Sequence, residues 1–173
     1  VAARLALDHL YELGHRRIAV VGGNDTMSTG RNRRTTYRAW LSEKGLPFDP
    51  ALMVTGLGTR DTGFAGIQAL LDLAEPPTAA VCMNDLIAFG VMMGLRQRGR
   101  EAGRDFSVVG ADDVREAAMW APGLTSVSTH PSEQGRRACE RVLVRTVNPA
   151  LPAARIILPP TLVVRGSTGP VGT

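Results

Sequence analysis

Apolar positions along the chain follow two rhythms in turn. Ala3, Leu7, Leu10 and Leu13 recur at helical spacing, with Ala6 beside them, and Gly14 supplies a stop. Ile18-Ala-Val-Val21 is continuous instead, as in a strand buried on both faces. Ser28 or Thr29 starts a second helix that runs to Lys44 and halts at Gly45. Leu52-Met-Val54 reads as a short strand. Phe64, Ile67, Leu70 and Leu71 then mark one face of a helix that begins near Asp61 and ends at Pro76-Pro77. The same alternation repeats. Thr78 to Met83 is a strand, Leu86 to Arg98 a helix, Phe106 to Gly110 a strand, Val114 to Trp120 a short helix and Thr125 to Ser128 a strand. A last helix opens at Pro131 or Ser132, and two apolar runs follow, Ile156-Ile-Leu158 and Leu162-Val-Val164. Residues 169–173 are expected to be a disordered tail. Strands alternating with helices predict an α/β layered domain, with a mostly parallel sheet flanked by helices.

Composition adds little to that picture. Hydrophobic residues make up 44% and charged residues 21%, values of an ordinary globular domain rather than a disordered or fibrous chain. No apolar run is long enough to cross a bilayer, and no signal peptide is visible, so a cytoplasmic protein without a membrane partner is expected. The net charge of +4 comes from arginine, since Lys44 is the only lysine. The arginines are scattered except for Arg31, Arg33, Arg34 and Arg38, so a solvated basic surface is favoured over nucleic-acid binding. Cys82 and Cys139 are far apart and lack metal-ligand spacing, which suits free thiols in a reducing compartment. No metal and no cofactor is expected.

Two strands stop on acidic pairs. Thr78–Met83 runs into Asn84-Asp85, and Phe106–Gly110 runs, after Ala111, into Asp112-Asp113. In an open parallel sheet, ligands bind outside the carboxyl ends of the strands. Asp85 and Asp113 are placed to cap the helices that follow. Asn84 and Asp112 come one residue earlier, where ligand contact and a structural loop role are both open. Arg31 or Arg33 could face the same rim, offering a planar fork for carboxylates, phosphates or hydroxyls. Gly22-Gly23-Asn24-Asp25 lacks both the GxGxxG and the Gly-Lys-Ser/Thr patterns of phosphate cradles. His9, His15 and His130 have no nucleophile partner in a known motif. His9 is expected to be solvated, and His15 suits the end of a helix in its cationic form. No catalytic residue is assigned. Phe89, Met92 and Met93 lie in different directions around one helix, and Trp120 ends a short element. Core packing explains part of this set, and an interface suits the rest.

Five segments together resemble one family. They are Gly14-His15-Arg16-Arg17-Ile18-Ala19; Pro77-Thr78-Ala79-Ala80 with Asn84-Asp85 and Ala88-Phe89-Gly90; Phe106 to Gly110 with Asp112-Asp113; Pro122 to Val127; and Leu162 to Thr168. In order and spacing they resemble the effector-binding region of LacI/GalR-type bacterial transcription regulators. The resemblance implies a fold like type I periplasmic binding proteins, two α/β lobes around a cleft. It implies that residues 1–168 are mainly the C-terminal lobe, with 132–158 packing on the N-terminal lobe. The DNA-binding headpiece would lie outside this chain. Carried over by position, Arg33, Asn84 and Asp112 are ligand contacts. Ala111, Leu86 and Gly58 stand at ligand-facing positions where the family commonly has aromatic or polar residues. Phe89, Met92, Met93 and Trp120 fall near its dimer interface.

The function expected is therefore effector sensing and dimerisation in a transcription regulator, not catalysis. Its partners would be a sugar-like or other polar metabolite, operator DNA through the headpiece, and a second copy of the chain. A sugar-binding protein of a transport system is the first alternative. A nucleotide-binding α/β enzyme is the second.

Overall fold

The computed structural model describes residues 1–24 and 26–172. Asp25 of the expected glycine loop and Thr173 of the expected tail lie outside the described residues. The chain runs α1 (Ala2–Glu12), β1 (Ile18–Val21), α2 (Ser28–Glu43), β2 (Met53–Val54), α3 (Arg60–Leu71), β3 (Ala79–Cys82), α4 (Asp85–Gln97), β4 (Ser107–Ala111), α5 (Glu116–Met119), β5 (Thr125–Ser128), α6 (Pro131–Val147) and β6 (Thr161–Val163). The strands form one sheet ordered β2-β1-β3-β4-β5-β6. All pairs are parallel except β5 with β6.

Both faces of the sheet are covered, which is why β1 and β3 are apolar at every position. Ile18, Val20, Val81, Val109 and Val127 face α1 and α2. Ala19, Val21, Ala80, Cys82 and Val108 face α3, α4 and α5. On the first face, Trp40 is fully buried and its indole N–H donates to Asp8 at 2.8 Å, pinning α2 to α1. On the second, α3 and α4 touch backbone to backbone. A Cβ on Gly63 would stand 2.0 Å from the Ile87 carbonyl, and one on Gly90 would stand 1.9 Å from that of Arg60. Among the described residues, no helix is long and apolar enough to cross a membrane.

Several expectations are corrected here. Residues 169–172 are ordered. Ser167 Oγ donates to the Val108 carbonyl at 2.6 Å, and the Val171 N–H donates to Leu13 at 3.1 Å, so the chain end is a strap beneath β4 and β5. Of the two closing apolar runs only Leu162–Val164 contributes to a strand, β6, while Ile156 to Leu158 stays outside the sheet. His9 is half-buried and bonded to Thr168 at 3.0 Å rather than solvated.

His15 is not a cation at a helix end. It is only 2% exposed, with Nδ1 at 2.8 Å from Thr78 Oγ1 and Nε2 at 2.9 Å from Ser107 Oγ and 3.0 Å from the Gly169 carbonyl. That carbonyl can only accept, so the network assigns the proton to Nε2 and leaves Nδ1 to accept from Thr78. Burial holds the imidazole below its ordinary pKa. The Gly169 bond opposes this, while His9 and Arg16 act with the burial. The folded chain thus binds this proton less readily than the unfolded chain does. The contribution of His15 to stability should be full above about pH 6.5 and should fall as the pH drops below it. Urea unfolding at stepped pH checks this. His15→Gln should flatten the acid fall, and an unchanged fall would assign it to other groups.

Candidate functional site

The sheet order decides where the loops meet. β1 passes the chain to α2 on one face, whereas β3 and β4 pass it to α4 and α5 on the other. Between β1 and β3 the chain diverges, and a crevice opens above the carboxyl ends of the strands. Arg33 stands there. It projects from the second turn of α2, and its Nη1 donates to the carbonyl of Cys82, the last residue of β3, at 3.1 Å. A guanidinium carries five donors in a planar fork, so one bond to a carbonyl does not exhaust it. Burial lowers its pKa, and Asp112 works against that shift.

β3 and β4 pair in parallel with Val81 opposite Val109, so the residues that leave them run on side by side. Asn84 and Asp112 therefore end at the same level of the rim. Asn84 is the N-cap of α4. Its Oδ1 accepts from the Ile87 N–H at 2.9 Å, and its Nδ2 donates to the Gly58 carbonyl at 3.2 Å. This corrects the assignment of the cap to Asp85. Asp112 is exposed, with a carboxyl pushed up by its partly dry surroundings and pulled back by Arg33. The two charges act on each other across the rim, and among the described residues no ion pair joins them.

Asp85 turns inward instead. Its side chain is 1% exposed and accepts from Ser126 Oγ at 2.6 Å and from the Val114 N–H at 2.8 Å. Gly110 makes room for it, since a Cβ there would stand 2.2 Å from Asp85 Oδ1. Burial raises its pKa, the two hydrogen bonds lower it, and Asp112 and Asp113 raise it further. Asp113 is not a cap either. It accepts from Arg165 at 2.8 Å, and α5 has no side-chain cap. Asp112 and Asp113 have φ of 108° and 53°, two successive non-glycine residues in the left-handed half of the map. Such backbone persists only where its surroundings hold it, at a cost of about 1–3 kcal/mol per residue.

Of the residues singled out from sequence, Arg33, Asn84, Ala111, Asp112 and Gly58 gather at this rim. Leu86 is exposed on the first turn of α4 beside it. The candidate interface residues divide. Phe89 and Met92 are buried, so the view that they exceed the needs of the core is corrected. α4 is buried nearly all round, between the sheet, α3 and Trp120. Trp120 is half-buried, stacked on Phe89 with ring centroids 4.8 Å apart. Met93 is 43% exposed. Met119, 70% exposed one residue before Trp120, escaped the sequence reading because an apolar residue in a four-residue helix carries no periodicity. Ser126 and Arg165, which fix the Asp112–Asp113 loop, were equally silent. A hollow of about 440 Å³ lies away from this rim, between α6 and residues 154–158.

Residues 7–168 match the family described as the periplasmic binding protein-like domain. The chain belongs to that family. Within it, the resemblance to LacI-type regulators holds for both sequence and fold. The ribose operon repressor of Haemophilus influenzae is 34% identical over 163 residues, covering 94% of this chain and 49% of that protein. A LacI family transcriptional regulator from Enterococcus faecium with bound ribose is 27% identical with a TM-score of 0.89, over 99% of this chain and 63% of that one. The lac repressor dimer bound to operator and an anti-inducer is 28% identical with a TM-score of 0.83, over 97% of this chain and 58% of that one. The chain spans about half the length of the curated relatives it matches.

The strained backbone at Asp112 yields a test. Glycine at φ 108° carries no steric penalty, so Asp112→Gly should raise unfolding stability by about 1 kcal/mol, net of the extra freedom glycine gives the unfolded chain. Denaturant melts measure it. Loss of stability instead would mean that the Asp112 side chain holds the loop.

Proposed function

We propose that this chain is the effector-sensing and dimerising part of a LacI-type DNA-binding transcription regulator, and that it has no catalytic role. The observation that carries the reading is the meeting of Arg33, Asn84 and Asp112 at one rim, above parallel β3 and β4. A half-buried guanidinium with a free-standing carboxylate opposite suits a ligand rich in hydroxyls, with Arg33 donating and Asp112 accepting. The ribose bound by the Enterococcus faecium relative is of that class. Ala111 and Leu86 offer small and aliphatic surface rather than an aromatic platform, so the ligand here would be held by polar contacts more than by stacking.

The second lobe of the cleft would come from chain outside these residues. α6 supports this, since none of its residues is buried while Val142, Leu143 and Val147 are 62%, 66% and 88% exposed. Residues 132–158 would pack on that lobe. An effector then acts by linkage. It shifts operator affinity only as far as it binds one arrangement of the lobes better than another. Operator contact belongs to a headpiece beyond this chain, and two-fold operators call for a dimer. Met93, Met119 and the flank of Trp120 would form the contact, with Phe89 and Met92 supporting them from beneath.

Arg33 gives the direct test. In the full-length regulator, Arg33→Ala should raise the ribose concentration needed to change operator binding by about tenfold to a hundredfold, the worth of hydrogen bonds to a charged group. Operator affinity without ligand should stay as in the parent. Fluorescence anisotropy on labelled operator measures both, and equal ligand response would remove Arg33 from the site. For the dimer, Met93→Glu should weaken self-association by at least about tenfold in sedimentation equilibrium, because a carboxylate would be buried without a partner. An unchanged dimer would move the interface elsewhere.

A further inference from the structure

Asp85 is the most deeply buried carboxylate of this region, and neither helix capping nor ligand contact accounts for it. Its two bonds reach two different parts of the chain. Ser126, on β5, donates its hydroxyl proton to Asp85 Oδ1 at 2.6 Å. The same hydroxyl oxygen accepts from the Asp113 N–H at 3.1 Å. The next amide, Val114 N–H, donates to Asp85 Oδ2 at 2.8 Å. Two successive amides of the β4–α5 loop are thus held by one carboxylate, one directly and one through Ser126. They lie in or next to the two positive-φ residues, where the backbone would relax if released. Gly110, whose missing side chain admits the carboxylate, lies two residues before Asp112 on the segment that delivers it.

We propose that Asp85 is a positioning residue, whose carboxylate fixes the β4–α5 loop and so places Asp112 opposite Arg33 at the rim. Its bearing on ligand binding rests on the effector-site reading above. Its hold on the loop does not. Arg165 grips the loop from the other side through the Asp113 carboxylate at 2.8 Å, so loss of Asp85 loosens the loop without detaching it. Asp85 also couples the ends of two strands. It begins α4 directly after the Asn84 cap, and α4 and the β4–α5 loop are the elements that follow β3 and β4. Asp85 thus adds a side-chain tie between Asn84 and the Asp112 loop to the pairing of β3 with β4 and to the bond from the Asp112 N–H to the Val127 carbonyl at 3.0 Å.

The test uses the full-length regulator and the near-isosteric Asp85→Asn, which keeps one acceptor but brings an N–H₂ toward Ser126. Hydrogen-exchange mass spectrometry should show amides 113 and 114 exchanging about tenfold faster, with the protected amides of β1, β3 and α4 unchanged. Ser126→Ala, a milder variant, should release the Asp113 amide and leave Val114 protected. Unchanged exchange in the loop would overturn the proposal. Equal acceleration throughout the sheet would overturn it too, by assigning Asp85 to the stability of the whole fold. Ribose titration separates this from the reading beneath it. A ribose affinity lowered about tenfold by Asp85→Asn, with no further loss on adding Asp112→Asn, joins the two. Loop-confined exchange with no ribose response in parent or variant keeps Asp85 as the holder of the loop and fails the effector reading for ribose. Ribose affinity equal in parent and variant, despite a loosened loop, would overturn the placement of Asp112 by Asp85.

Discussion

Parallel pairing of β3 with β4 is the constraint on which the rim depends. With Val81 opposite Val109, both chains reach the same edge of the sheet at the same level. An antiparallel pair would send Asn84 and Asp112 to opposite edges. The pairing is in turn held by burial. Ala80, Cys82 and Val108 lie under α3 and α4, while Val81 and Val109 lie under α1 and α2. A slip of one residue would exchange the two sets and break both layers at once. The crevice at the rim is thus a consequence of two cores.

Three carboxylates leave these strand ends, and their surroundings give each a different task. Asp85 is dry and has only hydrogen-bond donors as partners, so it serves as a structural acceptor. Asp113 has Arg165, a direct ion pair with both members partly shielded from water. Asp112 has neither. It is exposed, with Arg33 acting on it only through its charge. A carboxylate held in costly backbone near a half-buried cation is what the effector site proposed above would use.

Much of this was legible from residue order. The continuous runs Ile18–Val21 and Thr78–Met83 read as strands covered on both faces, and the acids after the Thr78 and Phe106 strands marked the rim. Which member of each pair points outward was not legible. Asn and Asp are equally good N-caps. The choice was made by Gly110, whose absent Cβ opens a space for the second acid and not the first, a fact about strand neighbours 25 residues apart. His15 was misread for the same kind of reason. Its partners Thr78, Ser107 and Gly169 come from three distant segments, and only their convergence makes it neutral and buried. Phe89 and Met92 point in directions that a sheet alone could not cover. α3 and Trp120 cover them, and reciprocal glycines that let two helices touch leave no periodic trace.

On the function proposed above, the rim and α6 would bear on one another through linkage. A ligand held only by Arg33 and Asp112 would bind every arrangement of the molecule equally, and so could bias none of them. Bias requires a second surface whose distance from the first changes. α6 and residues 153–158 leave the sheet and bring apolar side chains into the open, Leu143 at 66% and Ile157 at 71% exposure, with ion pairs such as Arg136–Glu140 along the helix. Exposed apolar area of that kind suits an interaction surface. A partner seated there would move with the arm. On the function proposed above, a ligand bridging that partner and the rim would favour the arrangement in which both contacts are satisfied, and a firmly held Asp112 would enlarge the difference between arrangements.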